Sequence, residues 1–135
     1  MKGKFMAEKS DYAYQQEALI NQKIEKMEML LPPICSEYFS YLQLSKTPKT
    51  VYAYAIDLKL FFSFLCQDVF DMEMDKIDIN TLKKVKSTDI SHFLIKMHNG
   101  YGKNDKNGLK INKNGDKALS RKLSSIKQFF HYCFL

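Results

Sequence analysis

A chain of 135 residues, 45% hydrophobic and 27% charged, has the balance of one globular domain and leaves little room for a second core. It shows no apolar run near the ~20 residues of a membrane span and no signal-peptide core in Met1–Ser10, so a cytoplasmic protein with no membrane partner is expected. A net charge of +6 suits a polyanionic partner, while Cys35, Cys66 and Cys133, with no C-x-x-C pair among them, argue against zinc or redox chemistry and read as small core hydrophobes.

From about Glu8 to Leu31 the chain is polar, with apolar residues at Ile20, Ile24, Met27 and Leu31. That spacing predicts a helix with one narrow apolar stripe, stopped by Pro32-Pro33. A second helix is predicted from Ile34 to Leu44, apolar at Tyr38, Phe39 and Leu42. The third has the clearest start signal: Thr47 as N-cap and Pro48 in the first turn, where its missing N–H costs nothing. Val51, Ala55, Leu58, Phe62 and Leu65 line its inner face, with Tyr54 and Phe61 on the flank. Lys49, Ala53 and Ile56 fall opposite, with Thr50 and Tyr52 beside them.

The acidic stretch Asp68–Asp78 reads as a loop, followed by a short helical turn around Thr81–Val85. Ser87 or Thr88 is expected to cap a fourth helix, with Asp89 in its first turn, where a negative charge suits the dipole. Asn99–Gly115, rich in Gly, Asn and Lys, reads as a mobile loop or small hairpin with solvated lysines at Lys103, Lys106, Lys110 and Lys113. The last helix is predicted from near Asp116, with Leu119, Leu123, Ile126, Phe130 and Cys133 turned inward. Lys117, Arg121, Ser124, Ser125 and Gln128 fall on its other side, with Lys127 nearby. That stripe mixes cations with hydroxyl and amide groups able to meet phosphates and base edges. The pattern still runs at Leu135, as expected of a chain cut before a further domain. The fold class is all-α.

Lysine dominates the basic residues, and Arg121 is the one arginine, whose planar fork suits a phosphate or a guanine edge, the alternative being a helix-surface ion pair with Asp116 or Asp57. Lys96–Lys127 is strongly basic, with Asp105 and Asp116 as its acids, whereas Asp68–Asp78 is acidic. One side of the molecule is therefore expected to be basic and another acidic.

Two blocks carry a family resemblance. "TPKTVYAYAIDLKLFFSFL", Thr47 to Leu65, resembles the pattern that opens the core-binding domain of Xer-like and phage integrases, through Thr50, Tyr54, Asp57-Leu58 and Phe61-Phe62. "ALSRKLSSIKQFFHY", Ala118 to Tyr132, is similar to the closing helix of that domain, through Arg121–Ser124, Ile126, Lys127, Phe129-Phe130 and Tyr132. "STDISHFL" stands where the third helix of the family does, and the order agrees apart from the Asn99–Gly115 insert.

The resemblance to tyrosine recombinases implies a four-helix core-binding (SAM-like) bundle over residues 32–135, with residues 1–31 as an extra helical extension. It implies double-stranded DNA as partner, gripped by the second and fourth core helices, and other recombinase protomers within a longer protein. It implies no metal, nucleotide cofactor or small-molecule substrate. The DNA-contact candidates it marks are Lys49, Thr50, Tyr52, Ala53, Ile56, Lys117, Arg121, Ser124, Ser125, Lys127 and Gln128. Ala55 and Ile56 depart from the family, where basic residues are common. The strand exchange of the family needs two arginines, a lysine, histidines and a nucleophilic tyrosine. One arginine cannot supply two, and none of His92, His98 and His131 is followed by Arg three residues on. Tyr54 and Tyr132 read as structural, and the chain is expected not to be an enzyme by itself. The alternative is a basic helical protein-interaction module, with the acidic stretch and the N-terminal helix as its surfaces.

Overall fold

The computed structural model describes residues 11–100 and 115–135. Six α-helices follow in order: α1 (Asp11–Met29), α2 (Cys35–Leu42), α3 (Pro48–Phe64), α4 (Ile79–Lys83), α5 (Ser87–Asn99) and α6 (Asp116–Cys133). A π-helical turn at Leu65–Val69 extends α3, and a 3-10 turn at Met74–Lys76 interrupts the acidic connection. No strand occurs among the described residues, so the all-α expectation holds. The Asn99–Gly115 insert lies almost wholly outside the described residues, as do its four lysines.

α3 is the central element, and its start follows the capping logic of its sequence. Thr47 has extended backbone angles and its Oγ1 accepts the Thr50 N–H at 3.3 Å, with Pro48 next to it in the first turn. Val51, Ala55, Leu58, Phe61, Phe62 and Leu65 are all fully buried. The helix then widens into its π-helical turn, where the Phe70 N–H reaches the Leu65 carbonyl at 2.8 Å.

The other helices cover α3 from several sides. α1 packs along it, burying Ile24 and half-burying Ile20 and Met27, the stripe its spacing predicts. α2 buries Cys35, Tyr38, Phe39 and Leu42, and α5 buries Phe93 and Met97. Aromatic rings knit these layers by edge-to-face contacts, the arrangement ring quadrupoles favour. Phe61 meets Phe93 at 5.2 Å between centroids, Phe62 meets Phe129 at 5.5 Å, and Tyr38 meets Phe129 at 5.1 Å. Cys35 and Cys66 are buried free thiols and Cys133 is half-buried, and desolvation pushes all three thiols up.

Several boundaries differ from expectation, α2 ending at Leu42 rather than Leu44 and the short helix at Lys83 rather than Val85. The short helix begins earlier, at Ile79, because Asp78 caps it: its Oδ1 accepts the Thr81 N–H at 2.9 Å, and that bond holds the Asp78 carboxyl below its ordinary value. α5 already includes Ser87, with Lys86 at the cap position and its N–H donated to Asp89 Oδ2 at 2.8 Å. The acid expected to favour the dipole also makes the cap bond.

Thr47→Ala removes the one side-chain cap of the central helix. It should lower stability by about 1 kcal/mol, read as an earlier thermal melt by circular dichroism with unchanged helix content.

Candidate nucleic-acid interface

The junction of α3 and α6 is built around a carboxylate. Asp57 lies among apolar residues of α3 and is fully buried. A bare carboxylate there would be strongly unfavourable, and α6 supplies three partners. Arg121 donates from Nε to Oδ2 and from Nη2 to Oδ1, both at 2.9 Å, a bidentate fork. Ser125 Oγ donates to Oδ2 at 3.0 Å, and Lys122 Nζ stands 3.4 Å from Oδ1. The Lys122 side chain is 4% exposed and that of Arg121 is 47% exposed. One cation is thus sealed inside while the other reaches in from the surface.

This arrangement turns α6 away from the face its apolar spacing predicts. Lys122, Ser125, Ile126 and Phe129 are buried, whereas Leu119, Leu123, Phe130 and Cys133 are half-buried flanks. Ser125, expected on the outward stripe, points inside, because the buried carboxylate needs its hydroxyl. Arg121 remains at the surface but is held by Asp57. Sequence reasoning missed Lys122 as a functional cation. The available signal was Asp57 itself, an acid set in the apolar run Tyr52–Phe62 and requiring positive charge nearby.

The remaining candidates fall into two groups. On α6, Lys117, Ser124, Lys127 and Gln128 are exposed. On α3, Lys49 is exposed, and Thr50, Tyr52, Ala53 and Ile56 are half-buried. Gln128 Nε2 donates to the Tyr54 hydroxyl at 3.2 Å. With Arg121 on Asp57, this is a second exposed α6 side chain that reaches across to α3, here beside Tyr38, Tyr41 and Leu42 of α2. Thr50 turns its hydroxyl to Thr47, at 3.1 Å. Tyr132 packs on Tyr38 and Tyr41, at 5.2 and 5.1 Å between centroids, the structural place expected of it.

Three acidic residues gather elsewhere, while Glu17 lines the cleft of Lys49 and Asp68 pairs with Lys96 at 2.8 Å. Glu25 and Glu28 of α1 border a cleft with Asp75, and burial followed by the charge of Glu25 pushes the Glu28 carboxyl up. Among the described residues no group of His, Cys, Asp and Glu could hold a metal ion, and no helix is long and apolar enough to cross a membrane.

Comparison with known proteins bears on what this surface meets. The chain is similar to the tyrosine recombinase XerC of Caldanaerobacter subterraneus subsp. tengcongensis, 30% identical over 125 residues, which take in 84% of this chain. The likeness supports a relationship to the tyrosine recombinases. The chain spans about a third of the length of that relative, 32%. No family model matches the chain, and no solved structure matches it significantly.

The geometry at Asp57 gives a test independent of any ligand. Asp57→Ala leaves Lys122 buried without its counter-charge, and should cost about 3–5 kcal/mol. Arg121→Ala leaves Asp57 with Lys122 and Ser125, and should cost less, about 1–3 kcal/mol. Urea denaturation of the two variants checks the order. An Arg121→Ala variant as stable as the parent would mean that the fork contributes nothing.

Proposed function

We propose that the chain is a duplex-DNA-binding module of a tyrosine recombinase, which meets DNA with the adjoining stripes of α3 and α6. The observation that carries this reading is the Arg121 fork on Asp57, by which an exposed α6 side chain ties that helix to α3. Lys117, Ser124 and Lys127 of α6 and Lys49 of α3 stay exposed around it. Ammonium and guanidinium groups neutralise phosphates, and the hydroxyl and amide groups between them can accept from or donate to base edges. The similarity to a tyrosine recombinase supplies the kind of partner, and the +6 net charge fits it.

In this reading α3 and α6 present one continuous surface to the duplex, and the buried node fixes their mutual angle. Arg121 acts at the surface only in the orientation Asp57 allows, so it serves the fold and the interface together. The lysines supply most of the affinity, which is therefore salt-dependent. Ala53 and Ile56 offer apolar contact, suited to thymine methyl groups. Strand exchange, which needs a cluster of arginines around the phosphate, belongs to other parts of a longer protein. The chain alone is a DNA grip.

The test is a titration of a mixed-sequence duplex at several salt concentrations. The dissociation constant should fall in the range of about 1–100 μM at physiological salt. The double variant Lys117→Ala/Lys127→Ala should lower the slope of log K against log[salt] by roughly 1.8. Binding that ignores salt, or a double variant that binds as the parent does, would sink the assignment of these stripes to DNA.

A further inference from the structure

The second half of α1 sets Lys23 and Glu25 on opposite edges. At about 100° per residue, Lys23 falls to one side of the buried Ile24, and Glu25 to the other, with Glu28 on the side of Glu25. The tertiary contacts agree. Glu25 and Glu28 border the acidic cleft with Asp75, whereas Lys23 Nζ stands 5.9 Å from the centroid of the Tyr52 ring on α3. Tyr52 marks the border between the part of α3 that α1 covers and the open stripe of Lys49, Ala53 and Ile56. Asp57 marks the opposite border of that stripe. Lys23 therefore flanks the open stripe from the α1 side as Arg121 flanks it from the α6 side. Farther along, Lys49 and Glu17 line a cleft of about 380 Å³ between α1 and the start of α3.

We propose that Lys23 is a phosphate-binding position, and that α1 forms the second wall of the DNA-contacting surface, across α3 from α6. This rests on the DNA-binding reading above and adds a helix to it. Packed helix axes lie ~8–10 Å apart, so cations carried on the two flanks of α3 are separated by roughly 20 Å. That separation suits the two phosphate rows that rim a major groove ~12 Å wide. The open stripe of α3 then faces the groove, Lys23 takes one rim, and Arg121 with Lys117 takes the other. The Tyr52 ring beneath the ammonium limits the arrangements of its flexible stem, and ring and cation attract each other. Glu25 and Glu28 point away from the DNA, toward Asp75, so near Lys23 the helix adds positive charge to this surface, while Glu17 lies farther along, beside Lys49.

The experiment uses the full 135-residue chain and a mixed-sequence duplex, over the same salt series. Lys23→Gln keeps the length and removes the charge. Lys23→Arg keeps the charge. Lys76→Ala removes one charge next to Asp75, on the acidic side, and controls for net charge. Lys23→Gln should weaken binding roughly three- to tenfold and lower the salt slope by roughly 0.9. Lys23→Arg should restore both, and Lys76→Ala should stay within about twofold of the parent. If the parent binds with a steep salt slope but Lys23→Gln behaves like Lys76→Ala, the role of α1 is overturned and the α3–α6 surface stands. That role is overturned in the same way if Lys23→Arg fails to restore binding. If the parent itself shows no salt-dependent binding, the DNA-binding reading falls and this inference falls with it.

Discussion

The whole arrangement depends on keeping one buried negative charge satisfied. Asp57 sits where hydrocarbon would be expected, and the residues of α6 that answer it decide which way that helix faces. Apolar spacing alone would put Leu119, Leu123 and Phe130 inward. The carboxylate instead draws in Lys122 and Ser125 and sets Arg121 at the rim. Everything outward on α6 follows from that rotation, including which hydroxyl and which lysines meet solvent. A charged node of this kind adds less net stability than an apolar core of equal volume would. It adds direction: a fork of two hydrogen bonds has one good geometry, whereas leucines can slide.

Much of the architecture was legible in the sequence because it rests on local rules. Thr47-Pro48 announces the start of α3, Pro32-Pro33 the end of α1, and the heptad-like apolar positions of α3 are the buried ones. The inner faces of α1 and α2 were equally plain. The candidate surface was legible in part. Lys49, Lys117, Ser124, Lys127 and Gln128 are exposed as the helical wheel suggests. Ser125 was misread because a wheel assigns polar residues outward, and Lys122 was missed because the carboxylate that draws both inward stands on another helix far earlier in the chain. The caps at Asp78 and Lys86 depended on single side-chain bonds that several neighbouring residues could have made.

The distribution of charge refines what the composition suggested. An excess of lysine by itself says little, but the structure places glutamates of α1 next to the acidic connection and a lysine of the same helix beside the open stripe of α3. In its second half this helix thus turns Ile24 to the core, Glu25 and Glu28 to the acidic cleft and Lys23 to Tyr52. Ala53 and Ile56 on that stripe are half-buried. These two residues looked out of place on a wet surface. They are shallow rather than fully wet.

The node at Asp57 also constrains the order in which the chain acquires its structure. Asp57 and Arg121 are 64 residues apart, so their fork forms only when α6 returns to α3. Each doubling of a closed loop adds only about 0.6 kcal/mol of entropic cost, so distance alone does not delay that step. Desolvation does. Lys122 cannot leave water until the carboxylate is already presented in a formed α3, and Asp57 stays hydrated until its partners arrive. Pairing of α1 with α3 involves no such mutual requirement. These requirements favour a folding order in which α1 pairs with α3 before the last helix closes over the charge.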